Sequence, residues 1–220
     1  MAISFPLSLD DFFDGLRVTQ LKFELGENME MTGATGRGEI LTAATGGRLW
    51  HGVIHIATAT ASELDQVISK IDLLREPGGS FMIGDIAHRA LAADPSGAMA
   101  LSGAATVSTI DPNNVELRLA GDLPGLEIGA GDQFSIDHGD GSFSYYRVVV
   151  GGAFEAAGPM QTPPLEVRPA IAEVVATGMP VTLYRPALKA VYVPESYKGG
   201  IRLPGGRAQG VTFAWMQTLL

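Results

Sequence analysis

Residues 48–74, RLWHGVIHIATATASELDQVISKIDLL, decide the fold class. From Arg48 to Thr58 the large apolar residues Trp50, Ile54 and Ile56 fall on alternate positions, with His51 and His55 on the other side, which is the period of a strand with one buried face. The period then changes. Thr60 is placed to cap a helix, Glu63 follows three residues later as a capping box requires, and Leu64, Val67, Ile68, Ile71 and Leu74 recur at helical spacing. About 14 residues at about 1.5 Å each make a rod of roughly 21 Å, enough to cover one face of a small sheet. Pro77-Gly78-Gly79 ends it, so the expected picture is a lone helix on a β scaffold.

Outward from this stretch the chain keeps reading as short strands. Before it, RVTQLKFEL (Arg17 to Leu25) places Leu21, Phe23 and Leu25 on one face, and Phe5 to Phe13 forms an apolar arm among Asp10, Asp11 and Asp14. Met29 to Gly38, rich in Gly and Thr, is expected to be an irregular connection or a bulged strand. After the helix, strands are expected at Ser80 to Gly84, Ala98 to Ser108, Val115 to Leu119, Gln133 to Asp137, Ser142 to Val150 and Leu165 to Arg168. The short apolar runs Ile171 to Ala176 and Val181 to Tyr184 follow, then a long loop with Pro194, Gly199, Gly200, Pro204, Gly205 and Gly206. The closing segment, Val211 to Leu220, alternates Val211, Phe213 and Trp215 as in a strand.

The totals agree. Hydrophobic residues are 46% of the chain and charged ones 18%, below the roughly 25% usual for soluble domains, which implies subunit contacts. Glycine at 28 and proline at 13 favour turns and strand ends over helices. The texture turns to small residues from His88 onward, so we expect one β domain made of residues 1–88 and 166–220, with the C-terminal strand returning to the N-terminal sheet. Residues 89–165 are expected to form an inserted small barrel of five strands, of the oligonucleotide/oligosaccharide-binding (OB) type.

There are no cysteines, hence no disulfides or thiolate metal sites. Of the four histidines, His51, His55, His88 and His138, the first two share a strand face but sit about 13 Å apart, too far for one metal, and read as residues of the less buried face. Asp137 and Asp140 bring two carboxylates where calcium needs six to eight oxygens, and they read as hairpin-loop residues. Gly33, Gly36 and Gly38 lack the Lys-Ser or Lys-Thr and the helix of a phosphate loop. No serine is marked as a nucleophile, so we expect a non-enzyme with no catalytic residue, cofactor or metal. Trp50, Trp215, Tyr145, Tyr146, Tyr184, Tyr192 and Tyr197 read as core or interface, with a sugar-stacking platform as the alternative. A net charge of −9 argues against a phosphate-binding surface and suits either a solvated face or a pore that repels DNA. No positive n-region with an apolar stretch opens the chain and no 18 apolar residues run together, so neither a secretion signal nor membrane insertion is expected.

In order and spacing, Trp50-His51-Gly52, Leu64 to Leu74, Gly78-Gly79-Ser80-Phe81 and Gly84-Asp85 resemble the N-terminal half of the distal tail proteins of long-tailed, siphophage-type bacteriophages and gene transfer agents. Gly131-Asp132-Gln133-Phe134, Tyr146-Arg147-Val148 and Leu165-Glu166-Val167-Arg168-Pro169 are similar to segments of phage tail proteins of this size. The resemblance implies a β-rich ring-forming domain with one helix, a small outer barrel or sandwich domain, and a virion structural role. It further implies a hexameric ring at the tail tip, or baseplate, that joins the tail tube protein to the hub and lets DNA pass through its lumen without specific binding. Assembly would then take place in the bacterial host cytoplasm. The competing readings are a carbohydrate-binding β-module and another tail ring protein, of the tube or the hub.

Overall fold

The computed structural model describes residues 4–58, 60–156, 160–202 and 208–219, and it is mainly β. The strands of the first half are β1 (Val18–Leu21), β2 (Glu24–Leu25), β3 (Met29–Ala34), β4 (Ile40–Ala44) and β5 (Trp50–Thr58), followed by helix α1 (Ala61–Leu74) and β6 (Ser80–Ile83). The middle of the chain supplies β7 (Ala105–Ile110), β8 (Glu116–Gly121), β9 (Glu127–Ile128), β10 (Gln133–Asp137), β11 (Phe143–Val150), β12 (Gly152–Ala153), β13 (Leu165–Arg168) and β14 (Pro180–Thr182). The chain closes with β15 (Leu188–Tyr192), β16 (Lys198–Arg202) and β17 (Ala208–Gln217).

Seven strands form one sheet, in the order β1-β5-β17-β15-β6, with β2 beside β5 and β16 beside β17. Its long axis is the antiparallel β5–β17 pair, in which Phe213 lies opposite Ile54 and Trp215 opposite Gly52. Paired residues share a sheet face. Trp50, Ile54, Ile56, Val211, Phe213 and Trp215 therefore point the same way, and all are buried. Leu64, Val67, Ile71 and Leu74 of α1 pack on that face with Phe12 and Phe13, which come from a five-residue π-helical turn, Leu9–Phe13. The helix starts where the sequence places it, with the Thr60 hydroxyl accepting from the Glu63 amide at 3.2 Å. The π-helical turn is an element the apolar arm did not announce.

Close backbone approaches account for two glycines of the motifs above. A Cβ at Gly52 would lie 1.7 Å from the Lys22 carbonyl oxygen, and one at Gly84 would lie 2.6 Å from that of Pro186. Both are packing constraints and carry no chemistry.

The chain leaves the sheet after β6 and returns to it at β15. Between them, six antiparallel strands close on themselves in the order β10-β11-β13-β8-β7-β14. The expectation of five strands is corrected to six: the sixth, Pro180–Thr182, is too short to show a period in the sequence. For the same reason the expected boundary at residue 166 moves. The second core runs from Leu91 to Leu183 and takes in Leu165, Val167, Ile171, Val175 and Val181, so residues 166–183 pack with the barrel. Which core a strand joins depends on its partners, and a composition change at His88 carries no information about where that change ends.

Two more expectations change, and of the alternatives for Met29 to Gly38 the bulged strand holds. The segment 98–104 is a series of turns, with β7 beginning at Ala105; the buried Asp94 carboxylate holds these turns by accepting from the Met99 and Ala100 amides. Lys198–Arg202 is a strand, not a loop, while Pro204, Gly205 and Gly206 lie outside the described residues, as does Leu220. Met29–Ala34 is a bulged strand that pairs with Ile40–Ala44 to make a separate hairpin, with the bulge between Met31 and Gly33.

Candidate functional site

The sequence-nominated groups are dispersed. His51 and His55 stand on the uncovered face of the sheet, opposite Met216 and Thr212. Asp137 accepts from the Gly139 amide at 2.8 Å, and Asp140 from the amide and hydroxyl of Ser142, so both carboxylates are spent on closing their loop. His138, in the same loop, contacts the hydroxyls of Ser142 and Ser144, each at 3.0 Å. Burial lowers its pKa, against the opposing pull of Asp140 and Asp137. Trp50, Trp215, Tyr145, Tyr146 and Tyr192 are core residues, which leaves Tyr184 and Tyr197 as the half-buried aromatics of the seven. Among the described residues no three His, Asp or Glu side chains gather as a metal would require, and no helix is long and apolar enough to cross a membrane.

What the fold does bring together is a polar seam between the two lobes. Tyr145 points out of the barrel wall into the core of the sheet lobe, where Trp50 meets it edge-on at 5.4 Å and donates its indole N–H to the Tyr145 carbonyl at 2.8 Å. The Tyr145 hydroxyl donates to Gln133, whose amide donates to Asp85 at 3.3 Å, and Asp85 bonds His88 at 2.8 Å. Burial pushes the Tyr145 hydroxyl far above its ordinary range, so it stays protonated and remains a donor. Gln217 bridges from the sheet, accepting from the Trp50 amide and donating to the Phe143 carbonyl. Each of these side chains has a hydrogen-bond partner, and together they fix the barrel on the sheet.

The unsatisfied features lie elsewhere, on the flanks of the sheet. On one flank the outer edge of β1 has no strand beside it, and on the other the outer edge of β16 is likewise unpaired among the described residues. Ile201, on β16, is 72% exposed. The sheet also has one bare face. Glu24 lies opposite His51, Val191 opposite Met216 and Lys189 opposite Met82, so this face carries His51, His55, Glu24 paired with Lys22 at 2.8 Å, and Lys189. The acidic excess therefore sits away from it.

The β3–β4 hairpin projects beyond β2 and rests on neither core. Register places Met29, Met31, Ala34, Ile40, Thr42 and Ala44 on one face and Glu30, Leu41 and Ala43 on the other. The first face is uncharged and open, with Met31 71% and Ile40 64% exposed. At the hairpin base an apolar crease of about 630 Å³ separates it from the barrel, lined by Met29, Ala44, Leu49, Tyr146, Ile171 and Leu219 among others. The sequence allows a bulged strand over Met29 to Gly38 but does not announce its partner, Ile40–Ala44, because both strands are exposed and leave no buried period. No family model matches the sequence, and no curated protein matches it either.

Proposed function

We propose that this chain is a structural adaptor that assembles into a closed ring, and that the ring is the distal tail ring of a long-tailed bacteriophage or gene transfer agent. The observation that carries the reading is the pair of unpaired edges, β1 and β16, on opposite flanks of one sheet. An unpaired edge is a template for another strand. Two such edges on opposite sides allow head-to-tail pairing, which closes a ring when the rotation per copy divides a full turn. The sheet lobe is then the ring-former and the barrel the outer module. The bare sheet face, with its mixture of His, Lys and paired Glu, would line the lumen, so that DNA passes over a nearly neutral wall and the acidic excess faces outward. Tail tube and hub are the partners in this reading, at the two ends of the ring.

Solution mass by light scattering, followed by negative-stain images of the largest species, tests this. The expected mass is near six times 23.1 kDa, in rings whose hole passes duplex DNA. A chain that remains monomeric both alone and with tail tubes would sink the reading.

A further inference from the structure

The β3–β4 hairpin has no reason to hold together by itself. A two-stranded hairpin is marginal in water unless one of its faces is covered. Here the uncharged face stands open, with Met29 at its base 58% exposed and Met31 and Ile40 more so. Contiguous exposed apolar surface of this kind marks a contact site.

The order of the sheet says on which side that contact lies. The hairpin continues from β2, which pairs with β5 at Trp50 and His51, so it leaves the molecule on the β1/β2 flank at the end of the sheet nearest the barrel. The opposite flank at the same end is formed by β6, whose Ile83 pairs with Leu188. There the N-terminal arm runs along the outer edge of β6, Leu7 bridging Phe81, and the edge is thereby closed to strand addition. Yet this flank has apolar surface of its own: Ile86, just past β6, and Phe5, in the arm, are both exposed. One chain thus carries an open apolar hairpin face on one flank and exposed apolar side chains on the other, at the same level of the sheet. The two surfaces stand on opposite flanks of the sheet, and among the described residues no segment of the same copy joins them.

We propose that the β3–β4 hairpin packs its Met31–Ile40 face on the β6 flank of a second copy of this chain, beside Ile86 and Phe5. The contact is heterologous, with different surfaces on the two copies, as head-to-tail closure demands. It deepens the assembly reading and rests on it for the direction in which copies follow one another. The free β1 and β16 edges meet at the far end of the sheet, and the hairpin clasps the next copy at the barrel end, so each junction is held at two levels.

The absence of cysteine allows a clean test. Met31→Cys and Ile86→Cys are made as two separate proteins, each oxidised alone and then as a mixture, and run on a non-reducing gel. Covalent dimers that form in the mixture, with at least about tenfold less in either protein alone, are the expected result. Dimers of Met31→Cys alone in comparable yield would mean hairpin-to-hairpin pairing and would overturn the proposal. So would rings that form normally but give no mixed cross-link, an outcome that leaves the adaptor reading standing. Mixed cross-links within open chains that never close would support this contact and sink the ring. A second variant, Met31→Glu with Ile40→Glu, changes only exposed residues; assembly should weaken by about tenfold or more while the circular dichroism of the single chain stays unchanged. Undiminished assembly of that variant would overturn the proposal.

Discussion

Two hairpins of this chain differ in what they bury. In β10–β11, Phe134, Ile136, Tyr146 and Val148 fill the barrel, and Tyr145, pointing the other way, fills the sheet lobe; both faces of the hairpin are buried. In β3–β4 neither face is. Both are antiparallel ribbons joined through glycine-bearing turns, so local geometry does not separate them. The difference is that one hairpin finds two cores within its own chain and the other finds none, which makes the first a structural joint and leaves the second an exposed ribbon.

The largest expected effect is on the joint. Trp50 is fully buried, meets the Tyr145 ring edge-on and bonds its carbonyl, so Trp50→Ala should cost about 3–5 kcal/mol in chemical denaturation. A loss under about 1 kcal/mol would mean that the seam holds nothing and that the contrast between the hairpins is empty.

Replacing each tryptophan by phenylalanine sharpens the point. Trp50→Phe leaves the Tyr145 carbonyl without its donor and should cost about 1–3 kcal/mol beyond the packing change. Trp215 is equally buried, but its indole N–H has no hydrogen-bond partner, so Trp215→Phe removes an unsatisfied group and should cost distinctly less. Equal losses from the two, read in the same urea series, would contradict this.

The loop that joins β10 to β11 adds a pH dependence. His138 has its pKa lowered by burial, so the neutral ring is the form that folding favours. Such a group contributes stability above its ordinary value of about 6.5 and loses that contribution as the pH falls through the folded value. Between pH 7 and pH 5 the parent protein should therefore lose more stability than His138→Asn, with Tm at each pH as the measure. Parallel curves would remove His138 from the account.

The smallest effect belongs to the open hairpin. Met31→Ser should change the stability of the single chain by no more than about 0.5 kcal/mol, since the side chain touches neither core. A larger loss in the unassembled protein would mean that the hairpin is held by its own chain after all.

Strong periods were legible in the sequence. The helix cap at Thr60, the buried face of Trp50, Ile54 and Ile56, and the alternation of Val211, Phe213 and Trp215 follow from residue order, because a face buried along most of its length imposes its period on composition. Elements that bury little, or that are very short, left no such trace. β14 has three residues, β16 has two glycines among its five residues and carries one large apolar side chain, and β3–β4 is exposed at every position but Gly33. The open hairpin face and the free sheet edges were illegible for the same reason: a surface that packs on no core of its own chain carries no buried period.

By itself, then, the sequence determined the class of the protein, its one helix of any length, and the faces of its principal strands. Which strands close the barrel, where the chain crosses from one core to the other, and that Tyr145 of the barrel completes the core of the sheet were decided only by tertiary structure. Those outcomes depend on pairings between residues a hundred or so positions apart, such as Trp50 with Tyr145, whose value arises from mutual burial and is encoded in neither segment alone.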